Sequence, residues 1–263
     1  MNEQRPSPED TFSLVITEYP KSGATWLVTL LGDLLMLPKR DLYITQERVC
    51  HSNNTFYKGI LDHHWYKGAT SLSVESPSVV KSHELPHSPL IDFNAKFLHL
   101  IRDGRDSVVS KYFYEKDFCV NNGLISDFDV KFDDYLVNSA TEWKTYVESW
   151  LDKGIPVIKY EALLQNTKQT LIDALAVFSV EYDPQRLDFV IADNIKDKFR
   201  AKLEPIYKYN TFVRKAIVGD WKNHFTKRHT DIFNAIAGDT LIKLGYETRP
   251  LSLFRRIINK WKR

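Results

Sequence analysis

The chain has 263 residues, 43% hydrophobic and 27% charged, with a net charge of +2. That size and composition suit a globular chain that buries its own core, and a 13% aromatic content argues against disorder. So small a net charge gives no electrostatic case for a nucleic-acid partner, Cys50 and Cys119 make neither a disulfide framework nor a metal-ligand spacing, and no apolar run approaches the roughly 18 residues of a membrane span.

Residues 1–11 read as a polar lead without a signal-peptide core, so a cytoplasmic protein is expected. Residues 12–19 are apolar and β-branched, stop at Pro20, and predict a buried strand. Next, Trp26, Leu27, Leu30, Leu31, Leu34 and Leu35 recur at helical spacing and end before Pro38, predicting a helix over 24–37. Further strands are predicted at 78–82, 96–101 and 156–159. A turn is expected at 102–106, and helices at 107–118 (Val108, Val109, Tyr112 and Phe113 inward) and 167–178. Residues 39–75 and 119–140 lack periodicity and are expected to run as irregular excursions over the carboxyl edge of a sheet. Repeated strand–helix units predict an α/β fold, a single domain over 1–263 with a central, mostly parallel β-sheet flanked by helices.

Open α/β sheets bind ligands beyond the carboxyl ends of their strands. The loop Tyr19-Pro20-Lys21-Ser22-Gly23-Ala24-Thr25 occupies such an end and leads into a helix N-terminus, whose unpaired N–H groups favour an anion. Gly23 permits close backbone approach, Ser22 and Thr25 offer hydroxyls, Lys21 offers a full charge, and Trp26 offers a face for a nucleobase. The arrangement is P-loop-like, a strand–loop–helix phosphate site. It is not a Walker loop, because the lysine precedes the glycine. A tight turn with a solvated lysine would read the same way locally.

Taken together, the segments resemble the sulfotransferases that use 3′-phosphoadenosine 5′-phosphosulfate (PAPS). Residues 19–26 resemble their 5′-phosphosulfate signature Tyr-Pro-Lys-Ser-Gly-Thr-Thr-Trp, with Ala24 replacing a threonine. Residues 97–112 resemble the 3′-phosphate segment, an apolar strand ending in arginine with a serine further on, here Arg102 and Ser110. Arg214-Lys215-Ala216 followed by Gly219-Asp220-Trp221 resembles the third signature, Arg-Lys-Gly-x-x-Gly-Asp-Trp, with Ala216 replacing a glycine. Lys81-Ser82-His83 resembles the Lys-Thr-His segment that carries the catalytic base, and Tyr160-Glu161 resembles a Tyr-Glu pair after a central strand. These matches follow the family's order from residue 12 to about 226, and their pattern is that of the cytosolic type.

The resemblance implies PAPS as donor cosubstrate, 3′,5′-ADP as product and no metal. His83 would be the general base, Lys21 would stabilise the leaving group, and Lys81 would help neutralise the sulfonate. Lys21, Ser22, Gly23, Ala24, Thr25 and Trp26 would hold the 5′ end of the donor. Arg102, Ser110, Arg214, Lys215 and the backbone at Ala216 would hold the 3′-phosphate. Trp26 would stack on adenine, and Tyr160 would reach its edge. Residues 192–196 lack the family's Thr-Ser-Phe adenine clamp, for which Phe199 is the available substitute.

The acceptor, bearing a hydroxyl or an amine, would lie over His83. Phe56, Tyr57, His63, His64, Trp65, Tyr112, Phe113, Phe118 and Phe132 are the candidate walls for a small molecule, carbohydrate or glycolipid. A homodimer is left open. In the tail, residues 251–263, Phe254, Ile257, Ile258 and Trp261 share a helical face beside Arg255, Arg256, Lys260, Lys262 and Arg263. Such a helix packs on the domain or rests peripherally on the anionic inner face of a membrane. Two other classes fit the loop: a nucleotide-dependent kinase with a variant P-loop, and a non-catalytic phosphoadenosine-binding module.

Overall fold

The computed structural model describes residues 12–44, 47–51, 54–58, 60–61, 72–74, 77–87, 89–203 and 214–248. The chain begins with β1 (Ser13–Glu18), α1 (Ala24–Leu35) and β2 (Lys39–Asp41), followed by β3 (Arg48–His51), β4 (Asn54–Lys58), β5 (Ile60–Leu61), β6 (Leu72–Ser73) and β7 (Val79–Ser82). It continues through β8 (Ala95–Ile101), α2 (Gly104–Phe113), α3 (Phe132–Leu151), β9 (Val157–Lys159) and α4 (Tyr160–Gln165). Four helices close the described chain: α5 (Thr167–Val177), α6 (Pro184–Asp193), α7 (Lys196–Leu203) and α8 (Lys227–Lys243).

The main sheet runs β3-β4-β2-β7-β1-β8-β9, parallel throughout except for the antiparallel edge strand β3. β1 lies at its centre, buried on both faces as parallel strands are. Period-two alternation sends Leu14 and Ile16 into a core with α1, α4, α5 and α6, and Val15 into a second core with α2, α3 and α8. Because β7 and β8 flank β1 on opposite sides, a crevice opens above the end of β1.

Two sequence expectations need correction. Part of 39–75 belongs to the sheet: β2 and β4 are parallel members and β3 is its edge. A three-residue strand such as β2 is too short to show alternation, and Lys39 enters it buried through an ion pair with Asp33 at 2.5 Å. The end of 119–140 is the start of α3, which buries Leu136, Ala140, Trp143, Tyr146, Val147 and Trp150 at helical spacing. In addition, α2 starts at Gly104 inside the expected turn. Asp103 caps it, accepting from the Arg105 N–H at 3.0 Å. The helix then loosens into a π-helical turn, Tyr114–Cys119. Among the described residues no helix is long and apolar enough to cross a membrane.

Candidate active site

Four parallel strands deliver their carboxyl ends to one cleft. Glu18 and the loop from Pro20 come from β1, Lys81 and His83 from β7, Arg102 from β8 and Tyr160 from β9. The loop is sharply folded, with Lys21 at φ 73° and Gly23 at φ 109°. Glycine is required at 23 for two reasons. That φ disfavours side chains, and a Cβ there would stand 2.7 Å from the Tyr160 ring. Lys21, Gly23, Ala24, Thr25 and Trp26 line the cleft. Ser22 turns inward instead, its hydroxyl donating to the Tyr19 carbonyl at 2.8 Å and lying 3.4 Å from that of Ser107.

One end of the cleft holds His83, Lys81 and Lys21. His83 Nδ1 lies 3.0 Å from the Glu18 carbonyl. A carbonyl only accepts, so Nδ1 carries the proton and Nε2 is the basic nitrogen of the neutral ring. The ring stacks on Tyr43 at 4.6 Å, and the His83 N–H donates to the Tyr43 hydroxyl at 2.6 Å. Burial and then the neighbouring Lys81 push His83 down to about 3, so the imidazole is neutral across the physiological range. Lys81 pairs with Asp41 at 3.0 Å, a meeting set by the register that places Asp41 of β2 opposite Lys81 of β7. Lys21 lies over the Tyr114 ring at 4.1 Å and is pushed down to about 7, by burial and then by Lys81. Glu18 is pushed up to about 7 by burial, against the pull of Lys81.

A second set of cations in the cleft is organised by Arg102. Its guanidinium donates to the carbonyls of Lys21 at 3.2 Å and Ile217 at 3.1 Å, and sits 4.7 Å over the Tyr160 ring. Beside it Asp106 accepts from the Gly219 and Trp221 N–H groups at 2.7 and 2.8 Å, anchoring the third motif to α2. Arg214 and Lys215 both bond to Asp220, at 2.5 and 2.8 Å. Burial alone would raise the Asp220 carboxyl, but the hydrogen bonds from Lys215, Asn223 and Arg214 outweigh it and hold the group well below the usual range. Ser110, Ala216, Trp26, Tyr160 and Phe199 line the same cleft, with Trp26 and Tyr160 meeting edge to face at 6.5 Å. Trp26 is oriented by its indole N–H, which donates to the Asn194 carbonyl at 2.9 Å.

Ala216 has φ 49°, the left-handed conformation that the glycine of the related signature adopts freely. Relief of that strain exceeds the added chain entropy, so Ala216→Gly is expected to stabilise the fold by about 0.5 kcal/mol. Differential scanning calorimetry checks this, and a clear fall in Tm would show that the Ala216 methyl is needed for packing.

Sequence reading missed Glu18, Asp41, Tyr43, Tyr114 and Lys196. Glu18 had a visible signal, an acid ending an otherwise uncharged strand immediately before the motif. Asp41 and Tyr43 reach the site only through the pairing of β2 with β7. Of the suggested acceptor walls, Phe56 packs in the core against α1, Phe118 is buried, and Tyr112 clusters with Phe113, Phe128, Phe132 and Tyr135. His63, His64, Trp65 and the tail 251–263 lie outside the described residues.

The sulfotransferase domain family matches residues 11–245. Sulfotransferase 1E1 of Bos taurus is 30% identical over 240 residues, covering 83% of this chain and 79% of its own. Sulfotransferase 2A1 of Homo sapiens is 25% identical over 256 residues, covering 90% and 87%. Among solved structures, mouse sulfotransferase SULT7A1 complexed with PAP superposes with a TM-score of 0.60 at 16% identity, over 95% of this chain and 88% of that one. Retinol dehydratase in a complex with retinol and PAP gives 0.59 at 15% identity, over 87% and 81%. With a domain match over most of its length, and the fold of solved sulfotransferases beneath it, the chain belongs to the sulfotransferase family.

Proposed function

We propose that the chain transfers a sulfonate group from PAPS to the hydroxyl of a small-molecule acceptor, with His83 as general base and 3′,5′-ADP as product. The observation that carries this reading is a single cleft lined by two sets of cations, Lys21 with Lys81 and Arg102 with Arg214 and Lys215, together with the rings of Trp26, Tyr160 and Phe199. A nucleotide phosphorylated at both 3′ and 5′ positions matches that layout, whereas ATP places its charge at one end. The buried groups fit such a ligand. The Nε atoms of Arg102 and Arg214 have no hydrogen-bond partner, Gly23 keeps the cradle open, and the Asp220 carboxylate engages Arg214 and Lys215 as a phosphate would. Two solved relatives carry PAP, the same molecule as 3′,5′-ADP, and one of them also holds retinol, a small alcohol.

PAPS supplies a sulfonate joined to a phosphate through a labile anhydride. His83 Nε2 takes the hydroxyl proton as the acceptor oxygen bonds to sulfur, and the proton later leaves to solvent. The sulfur–oxygen bond to the phosphate breaks with its electron pair on the phosphate oxygen, where Lys21 supplies positive charge. Lys81 offers charge to the sulfonate oxygens. Trp26 and Phe199 offer faces to adenine, and Arg102, Ser110, Arg214 and Lys215 offer donors to the 3′-phosphate. The same reading makes the protein cytoplasmic, with the basic tail 251–263 as its contact to any membrane-proximal acceptor.

The test is transfer of labelled sulfonate from PAPS to a panel of phenols, aliphatic alcohols, sugars and amines, beside calorimetric titration with 3′,5′-ADP. The expected result is turnover on at least one hydroxyl class, and 3′,5′-ADP binding at least tenfold tighter than ATP, roughly the worth of one charge-assisted contact. ATP-dependent phosphorylation of the same acceptors would overturn the reading in favour of a kinase. Binding of 3′,5′-ADP with no transfer to any class would favour a non-catalytic module.

A further inference from the structure

Glu18 closes the central strand, lies buried at the floor of the cleft, and belongs to none of the signature positions. Its two halves engage the same histidine. The backbone carbonyl accepts His83 Nδ1–H at 3.0 Å, and the carboxylate Oε1 stands 4.0 Å from that same nitrogen. The other carboxylate oxygen is fixed by the first N–H of α1, from Ala24, at 2.7 Å. We propose that Glu18 is the positioning residue of this site, its carboxylate being the negative charge against which His83 becomes an imidazolium as it takes the acceptor's proton. This rests on the reading of His83 as general base.

The charges around it give the reason. Lys81 and His83 at the end of β7, Lys21 in the loop, Asp41 at the end of β2 and the start of α1 all face Glu18. Two lysines and burial oppose a further positive charge on His83, which makes imidazolium formation the difficult half of the proton transfer. An ionised carboxylate beside Nδ1 offsets that opposition, as an acid behind a histidine base does elsewhere. The Nδ1–H donates to the Glu18 backbone carbonyl, and the carboxylate at 4.0 Å is beyond hydrogen-bond reach, so its part is to stabilise charge formed on the ring.

The pH dependence follows with a definite sign. Burial raises Glu18 to about 7, so it is ionised only above that point, while Lys21, lowered to about 7, is charged only below it. The kcat/KM profile of the wild type is therefore a narrow bell around neutrality, with Glu18 giving the ascending limb and Lys21 the descending one.

Glu18→Gln keeps an acceptor for the Ala24 N–H and removes the charge. The expected result is a fall of about 10²-fold in kcat, loss of the ascending limb, and 3′,5′-ADP affinity that is unchanged or tighter, since a negative charge beside the phosphates is gone. Glu18→Asp retains the limb. If kcat stays within about twofold, or if kcat and 3′,5′-ADP affinity fall together with the limb unmoved, Glu18 only caps the loop and the proposal is overturned. Should Glu18→Gln not fold, the wild type decides, because a profile with no ascending limb between about pH 5.5 and 8 is equally fatal. The controls separate the two readings. Wild-type turnover that survives in His83→Ala removes the base itself, whereas normal turnover in Glu18→Gln with a dead His83→Ala removes only the positioning role.

Discussion

Replacing His83 with alanine is expected to lower kcat about 10³-fold, within the range that general-base catalysis contributes, while 3′,5′-ADP binding changes little. The geometry separates these two effects. His83 is fixed at the reaction end by the Glu18 carbonyl behind Nδ1, by Tyr43 stacked on its face and by its own N–H on the Tyr43 hydroxyl. Arg102, Arg214 and Lys215, by contrast, are held by the Lys21 and Ile217 carbonyls and by Asp220. A tautomer held with Nε2 basic does one thing for the reaction, which is to accept a proton as the acceptor oxygen attacks. His83→Gln is the second variant, because its amide N–H can still reach the Glu18 carbonyl while no basic nitrogen remains. Single-turnover transfer measured beside calorimetric 3′,5′-ADP binding separates chemistry from donor affinity. Full turnover in either variant would remove His83 from the mechanism. An equal loss of turnover and binding would make it a structural residue.

Much of this site was legible because its pieces are contiguous. The run from Tyr19 to Trp26 carries strand end, loop and helix start in a few residues, and an all-buried β1 is a continuous apolar run in sequence as well as in space. Arg102 and Tyr160 were legible for a related reason, since each follows directly on its strand. What the sequence hid depends on lateral pairing. Asp41 is a polar residue at the end of a three-residue strand, and only the register with β7 brings it to Lys81. Tyr43 reaches His83 by the same route. The start of α3 was read as irregular because Phe132, Asp133 and Asp134 carry no apolar stripe, and its buried face becomes continuous only from Tyr135 onward. Glu18, by contrast, was open to reading. An acid at the end of a buried strand departs from the apolar pattern, and such departures are expected at functional positions.

Arg102→Gln is expected to weaken 3′,5′-ADP binding by about 10²-fold, close to the 2–5 kcal/mol lost when a buried, hydrogen-bonded charge is truncated at an interface. The prediction needs a second nucleotide, because Arg102 also holds the site together. It ties the Lys21 carbonyl to the Ile217 carbonyl and lies on the Tyr160 ring, so its removal loosens the donor loop whatever the ligand. Titration with 5′-AMP isolates that loss, since 5′-AMP makes the 5′ and adenine contacts and lacks the 3′-phosphate. If Arg102 binds the 3′-phosphate, the wild type prefers 3′,5′-ADP over 5′-AMP and the variant loses most of that preference, a coupling of roughly 2 kcal/mol between side chain and phosphate. Arg102→Lys should recover only part of it, because a point charge replaces a planar fork whose Nε is buried without a partner. Arg214 should couple more weakly, since a phosphate must first draw it from Asp220. Equal weakening of both nucleotides in Arg102→Gln would make the guanidinium a strut between two loops, and the second end of the donor clamp would then rest on Arg214, Lys215 and Ser110 alone.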